Sequence, residues 1–164
     1  MPQSFAYIAD ERTVRLVIGS MPGAASLAAG EYYAYKHNLF WRFAFEAYGA
    51  AFDVSQPPAY ALKTSLLREH GTGLWDAAAF CQREGSLDAA IKNAVPNDFP
   101  ALLSRYPQIE CLLFNGQTAY KLFRRFYPAL LEAKRWLLLP STSPANASVP
   151  LSVRREKWLA ALRG

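Results

Sequence analysis

Two asparagines stand where a neutral carboxamide could do chemistry. Asn38 follows an aromatic-rich run, and Asn115 ends the apolar run Cys111-Leu-Leu-Phe114 and precedes Gly116. A carboxamide offers a hydrogen-bond donor and an acceptor without titrating, so it can position a water, stabilise developing charge or read a paired donor and acceptor. Both residues also have structural explanations, because Asn38 can cap the following helix and Asn-Gly is a common turn dipeptide.

Metal and cofactor chemistry is not predicted. The chain has two cysteines, Cys81 and Cys111, which can supply neither a disulfide framework nor the four thiolates of an iron-sulfur cluster. We expect both thiols to be reduced and structural. No cluster of metal-ligating residues and no glycine-rich cofactor motif is visible in the sequence. We therefore expect neither a metal nor an organic cofactor.

The elements that must position the two asparagines follow from the apolar periodicity. Four strands are predicted, over residues 14–19, 73–81, 109–114 and 135–139. Helical segments alternate with them, over 38–49, from Pro57 or Pro58 to 71, 87–91, 97–103, 117–126 and 151–162. This alternation predicts an α/β fold, a three-layer α/β/α sandwich with a central, mainly parallel four-stranded sheet.

The carboxyl ends of such strands are where ligands bind. Three predicted loops meet there: residues 19–38, 115–118 and the Pro- and Ser-rich loop 140–147. Because Asn38 and Asn115 belong to two of them, we expect both amides beside the hydroxyl groups of the third. The long stretch 20–36 is predicted to be a functional loop without regular structure.

Composition sets the class of molecule and of partner. The 164 residues, 52% hydrophobic and 19% charged, suit one domain spanning residues 1–164. No apolar run approaches a membrane span, so we expect a cytoplasmic monomer with no membrane partner. A net charge of +5 favours an anionic partner. Basic clusters at 121–125, 134–135 and 154–163 surround loop 140–147 in sequence, although each could be a solvated helix face.

Three sequence motifs resemble those of the uracil-DNA glycosylase superfamily. Gly19-Ser-Met-Pro-Gly23 is similar to its first motif, a Gly-x-x-Pro-Gly loop after strand one. The segment 32–41, Tyr-Tyr-Ala-Tyr-Lys-His-Asn-Leu-Phe-Trp, resembles the segment shared by the mismatch-specific and hypoxanthine branches. Residues 139–146, Leu-Pro-Ser-Thr-Ser-Pro-Ala-Asn, are similar to the second motif, which grips DNA. With Phe114-Asn115-Gly116, the resemblance covers nearly all of the chain.

The resemblance implies a monofunctional DNA glycosylase of base excision repair. Such an enzyme flips a deaminated base out of DNA and hydrolyses its N-glycosidic bond, with hypoxanthine as the first candidate base and uracil as the second. Asn38 then matches the catalytic residue, Asn115 the base-reading residue, and Tyr33 the stacking residue, for which Tyr32, Tyr35 and Phe40 are substitutes. Ser20 and Met21 would line the base site. The DNA-binding candidates are Ser141, Thr142 and Ser143 on phosphates, and Ala145 or Asn146 in the gap left by the flipped base.

Two departures from the family pattern bear on chemistry. Met21 stands where many members have Asn or Asp, and a thioether cannot orient water, which directs catalysis to Asn38. Ser141 stands where the second motif usually begins with His or Asn, which argues against strong uracil activity. Solvent exposure is expected for His37, and Schiff-base chemistry is not expected at Lys36. The alternative is a non-catalytic nucleic-acid or nucleotide-binding domain of the same fold.

Overall fold

A four-stranded parallel sheet forms the centre of the computed structural model, which describes residues 3–146 and 148–164. Its strands are β1 (Arg15–Gly19), β2 (Thr72–Asp76), β5 (Cys111–Asn115) and β6 (Arg135–Leu139), in the order β2-β1-β5-β6. Nearly every residue of β1, β2 and β5 is buried, as in parallel sheets covered on both faces. The predicted α/β fold with a central four-stranded parallel sheet flanked by helices is confirmed.

Seven α-helices pack around the sheet or lie in its loops within the described residues. They are α1 (Ala24–Ala29), α2 (Phe40–Ala47), α3 (Tyr60–Glu69), α4 (Phe99–Arg105), α5 (Gln117–Phe126), α6 (Pro128–Ala133) and α7 (Leu151–Arg163). Asp98 caps α4 as predicted, accepting the N–H of Ala101 at 3.1 Å. Aromatic rings join α2 to α7, where Phe40 meets Trp158 edge to face at 5.9 Å. No helix of the described chain is long and apolar enough to cross a membrane.

The predicted strand 73–81 is two strands. β2 ends at Asp76, and the chain then forms β3 (Ala78–Gln82), which pairs antiparallel with β4 (Lys92–Pro96) in a hairpin outside the main sheet. Asn97 fixes the break, because its Nδ2 donates to the carbonyl of Asp76 at 2.7 Å. The alanines at 77–79 carry no hydrophobic pattern that would mark the break. The prediction was wrong here, and β4 was missed.

Three other predictions differ from the structure. The segment 87–91 contains a single 3₁₀ turn, Asp88–Ala90, rather than a helix. The stretch 20–36 is not structureless, because it contains α1, whose short run of small residues gave no amphipathic signal. The helix α6 begins at Pro128, a residue that is well suited to a first helical turn, and was not predicted.

Candidate active site

A cavity of about 680 Å³ opens at the carboxyl ends of the strands. Its walls come from residues 19–26, from residues 141–146 and from residues 86–88 of the β3–β4 hairpin. Single residues complete the lining: Tyr32, Tyr33, Tyr35, Asn38, Asp76 and Asn115. Its volume falls within the range of small-molecule sites, roughly 300–1,000 Å³. The three loops expected to meet at this edge of the sheet therefore do meet. Ala147, the last residue of the predicted loop 140–147, lies outside the described residues.

The carboxyl ends of β1, β2 and β5 form the floor of the cavity, and Gly19 leaves a space there because it has no side chain. Gly19 pairs in register with Asp76 on one side, and its preceding residue Ile18 pairs with Phe114, which precedes Asn115, on the other. A Cβ atom at position 19 would lie 2.4 Å from Oδ1 of Asp76 and 2.9 Å from the hydroxyl oxygen of Tyr33. Only glycine leaves that space, so Gly19 allows these two polar groups to enter the floor beside Asn115.

Asn38 lies on the cavity wall, immediately before α2. Its Oδ1 accepts the N–H of Phe40, the first residue of α2, at 2.9 Å in a local turn, while the N-cap residue itself is Leu39. Its Nδ2 has no hydrogen bond within the described residues. The two interpretations of Asn38 are therefore compatible: the oxygen fixes the amide on α2, and the two N–H groups are left for a ligand. His37 and Lys36, its neighbours, are exposed.

Asn115 makes two side-chain hydrogen bonds to Thr142 in the second-motif loop. Its Nδ2 donates to Oγ1 of Thr142 at 2.9 Å, and its Oδ1 accepts the N–H of Thr142 at 2.9 Å. The carbonyl of Thr142 accepts the N–H of Leu39 at 3.0 Å, next to Asn38. Thr142 is fully buried, so the expectation that its hydroxyl clamps a DNA phosphate is wrong. It positions Asn115 instead. The remaining N–H of that amide lies near the Tyr33 hydroxyl, where it opposes the rise in the pKa of that group.

Tyr33 is held in an uncommon backbone conformation with φ 53°. Its ring lies 4.6 Å from that of Phe40, centroid to centroid, and its hydroxyl oxygen is buried without a hydrogen-bond partner among the described residues. Burial raises the pKa of the Tyr33 hydroxyl above its usual range, and the Asp76 carboxyl adds to this. The hydroxyl is therefore a neutral donor and acceptor in the cavity floor. Two of the proposed substitutes, Tyr32 and Tyr35, also line the cavity. Tyr32 is buried and its hydroxyl donates to the carbonyl of Ala6 at 3.1 Å, whereas Tyr35 is exposed.

The first-motif loop is fixed by the hairpin. Ser20 donates its hydroxyl to Oδ1 of Asp88 at 2.7 Å, and Arg83 donates to the carbonyl of Pro22. Met21 is buried against Ala78 and lines the cavity. The structure therefore places Ser20 and Met21 at the cavity, as predicted. The hydroxyl of Ser20 is already engaged with Asp88.

The second-motif loop is organised by its own hydroxyl groups. Oγ of Ser141 accepts the N–H of Ser143 at 3.1 Å, and Oγ of Ser143 accepts the N–H of Ala145 at 3.3 Å. Asn146 donates to the carbonyl of Ser141 at 3.3 Å. These local turns present Ala145, which is exposed, at the rim of the cavity. From α7, the Trp158 indole N–H donates to the carbonyl of Pro140 at 2.8 Å, and Arg154 reaches that of Ser143 at 3.4 Å.

Two of the three basic clusters lie away from the cavity. Lys134 donates to the carbonyl of Ile109 at 2.7 Å, and Arg135 pairs with Cys111, the first residue of β5, so both are at the amino ends of the strands. Arg124 and Arg125 occupy the last turn of α5, which leads back from the carboxyl end of β5 towards the amino ends. These two clusters therefore flank loop 140–147 in sequence but not in space. In the third cluster, Arg154 contacts the loop.

Asp76 is the site residue that the sequence interpretation missed. It was counted inside the predicted strand 73–81, although a carboxyl group in a run of buried residues is itself an unusual signal. The side chain is 3% exposed, and Oδ2 has no hydrogen-bond partner in the described structure. The pKa of Asp76 is raised to about 8, chiefly by burial and also by the Asp88 carboxylate, while the Arg83 guanidinium opposes both effects.

Metal ligands do not assemble near the cavity. Within residues 3–146 and 148–164, no group of three or more His, Cys, Asp or Glu side chains could hold a metal ion. Cys81 and Cys111 are free and buried, as predicted. The polar groups that line the cavity are carboxamides, hydroxyls, the carboxyls of Asp76 and Asp88 and main-chain groups, which suit hydrogen bonding to a polar ring.

Comparisons with known proteins agree on one family. The family model of the uracil DNA glycosylase superfamily matches residues 5–163. A Methanosarcina acetivorans protein named hypoxanthine DNA glycosylase is 33% identical over 98% of both chains, and a Methanosarcina barkeri protein of the same name is 31% identical over 98% of both. The solution NMR structure of an M. acetivorans protein described as a candidate uracil DNA glycosylase has a TM-score of 0.82 and 33% identity, covering 98% of this chain and 96% of the other.

Proposed function

Because this chain belongs to the uracil-DNA glycosylase superfamily and is a DNA glycosylase, we propose that it removes hypoxanthine from DNA and hydrolyses the glycosidic bond without a lyase step. The observation that carries the proposal is the cavity at the strand ends, which both Asn38 and Asn115 line. Two relatives bear the name hypoxanthine DNA glycosylase. Uracil is the second candidate base.

Asn38 is the group proposed to act on the breaking bond. Cleavage of an N-glycosidic bond builds negative charge on the base and positive charge on the sugar, so the site needs a donor for the first and a positioned water for the second. The Nδ2 group of Asn38 supplies donors from a fixed amide, because its Oδ1 is tied to α2 through Phe40. The second lone pair of Oδ1 can hold the water.

Asn115 is the group proposed to read the base. Hypoxanthine presents the O6 acceptor beside the N1–H donor. Thr142 occupies the paired donor and acceptor edge of the Asn115 amide, so Asn115 would contact the base through its remaining N–H, which can donate to O6. Thr142 fixes the orientation of the Asn115 amide, because its main-chain N–H donates to Oδ1 and its hydroxyl oxygen accepts from Nδ2. Adenine presents the opposite arrangement, with a donor at position 6 and an acceptor at N1, and is discriminated against by this orientation.

The DNA backbone is proposed to lie along the second-motif loop. Ser141 and Ser143 would contact phosphates, partly through main-chain N–H groups, and Ala145 or Asn146 would enter the gap left by the flipped nucleotide. Lys36 is exposed and is not among the residues that line the cavity, which is consistent with an enzyme that forms no Schiff base. We propose a monomer that acts on genomic DNA in the cytoplasm.

The decisive experiment is a single-turnover cleavage assay on duplexes that differ in one base: hypoxanthine, uracil, xanthine, adenine or guanine. We expect the hypoxanthine duplex to react fastest and its product to be an abasic site, so that strands break only after alkali treatment. Cleavage of none of these duplexes by the folded protein would favour the non-catalytic binding domain. Strand breakage without alkali would contradict the monofunctional mechanism.

A second measurement tests where the DNA lies. Each phosphate neutralised by a cation contributes a slope of about −0.9 to log affinity against log salt. Lys36 is exposed beside Asn38, whereas Arg124 lies in the last turn of α5, away from the cavity. We expect Lys36→Gln to reduce the slope by about 1 and the matched variant Arg124→Gln to leave it unchanged. The reverse result would place the DNA on the α5 side of the protein.

A further inference from the structure

Asp76 is a buried polar side chain in the cavity that the proposed mechanism does not use. Its Oδ1 fills the space above Gly19 and its Oδ2 is buried without a partner in the described structure, while the whole residue lines the cavity. A buried oxygen without a hydrogen bond is costly, and native structures retain such groups where a ligand or function requires them. Across Gly19 from Asp76 stands Asn115, on the other neighbouring strand.

We propose that Asp76 is a second base-contacting residue, a neutral carboxyl group that donates a hydrogen bond to an acceptor on the flipped base. This inference rests on the proposed function, because it assigns a further contact in the same cavity. The flipped base would then lie between two groups on the strand ends, the Asn115 amide and the Asp76 carboxyl. The Asp76 hydrogen bond strengthens as negative charge accumulates on the departing base.

The surroundings of Asp76 favour the neutral form. Burial is the largest effect on its pKa, which rises to about 8, so the carboxyl holds its proton at neutral pH. No cation is close enough to form an ion pair with it among the described residues. The charged and titratable groups that interact with it come from the hairpin, from the loop before α2 and from the start of α3: Asp88, Arg83, Tyr32, Tyr33 and Tyr60.

The protonation state decides what Asp76 can recognise. A neutral carboxyl has one donor and one acceptor, whereas a carboxylate has acceptors only and would repel the oxygen and ring-nitrogen acceptors of a purine. The nearby Asp88 differs, because its side chain is 44% exposed and already accepts the hydroxyl of Ser20. Asp76 is thus the cavity carboxyl whose Oδ2 has no hydrogen-bond partner among the described residues, and the Tyr33 hydroxyl beside it is also without one.

The test is the pH profile of single-turnover cleavage of a deoxyinosine duplex by the wild-type chain, Asp76→Asn and Asp76→Ala. In the wild type we expect a constant rate below the pKa of Asp76 and a tenfold fall per pH unit above it. Asp76→Asn keeps a donor that does not titrate, so it should lower the neutral rate by less than tenfold and remove that fall. Asp76→Ala should lower the rate by about 10²-fold to 10³-fold. Ionisation of the substrate affects all three proteins equally.

A stability measurement separates the protonation of Asp76 from its contact with the base. Because the folded pKa is raised, unfolding releases this proton between pH 4 and 8, so wild-type stability should decline through that window relative to Asp76→Asn and then level off. Three results would overturn the inference. Asp76→Asn could show the same alkaline fall in rate as the wild type, or Asp76→Ala could cleave at the wild-type rate. The difference in melting temperature between wild type and Asp76→Asn could also be independent of pH. Absence of any cleavage by the wild type would instead refute the proposed function.

Discussion

Asn38→Ala is expected to slow single-turnover cleavage of a deoxyinosine duplex by about two to three orders of magnitude, the scale seen when a preorganised transition-state donor is removed. Duplex affinity should change little, because Asn38 lines the cavity rather than the exposed rim. The variant also loses the bond from Oδ1 to the N–H of Phe40, which should cost about 1 kcal/mol of stability. Rate and melting temperature must therefore be measured together.

Two neighbouring variants make this result interpretable. Asn38→Asp retains an oxygen for the N–H of Phe40 but removes the Nδ2 donors, so it should keep its melting temperature and still lose most of the cleavage rate. His37→Ala changes an exposed side chain and should cleave normally. Near-normal cleavage by a folded Asn38→Ala protein would contradict the catalytic role of Asn38. The next candidates would be Asn146 or a water held by the main chain of residues 20–23.

Asn115→Ala has the second large expected effect, and it acts on selectivity and stability at once. Loss of the N–H that donates to O6 should reduce discrimination of hypoxanthine from adenine by about 1 kcal/mol. The N–H of Thr142 would also be left buried without its acceptor, at a cost of about 1–3 kcal/mol in the free energy of unfolding. Cleavage rates on the two bases, together with chemical denaturation, measure the two effects separately.

Asn115→Asp is the matched control for that experiment. It keeps an oxygen for the N–H of Thr142, and the Thr142 hydroxyl can turn to donate to the other oxygen, so the loop stays supported. The donor for O6 of the base is lost. We expect nearly wild-type stability with reduced selectivity, whereas equal losses of activity on every base would identify Asn115 as a purely structural residue.

The strand ends and the two asparagines could be predicted from sequence because their signals are local. The run 109–114 is apolar and ends at Asn-Gly, and Asn38 precedes an amphipathic helix, so both positions follow from the pattern of neighbouring residues. The parallel order of the strands then places both residues at one edge. Their position needed only short-range periodicity and the rule for ligand sites, whereas their proposed roles came from the resemblance to the uracil-DNA glycosylase superfamily.

Asp76 and Thr142 could not be assigned in the same way, because their roles depend on contacts across the sheet. Asp76 enters the cavity through the gap above Gly19, which lies 57 positions earlier in the sequence. Thr142 was expected on the DNA-facing surface because it stands between two serines, but its hydroxyl bonds to Asn115 and turns inward. The basic clusters misled for a related reason, since helix α5 carries Arg124 and Arg125 back along the sheet.

The hydrogen bonds of Thr142 join three segments that are far apart in sequence: its side chain and N–H hold Asn115, and its carbonyl holds Leu39 beside Asn38. One buried residue thus sets the relative orientation of the two amides before any DNA arrives. The conformational entropy of aligning them is lost during folding rather than at the encounter with a lesion, so little of the binding free energy needs to be diverted to ordering the site. A flipped base would enter a cavity in which both amides are already oriented.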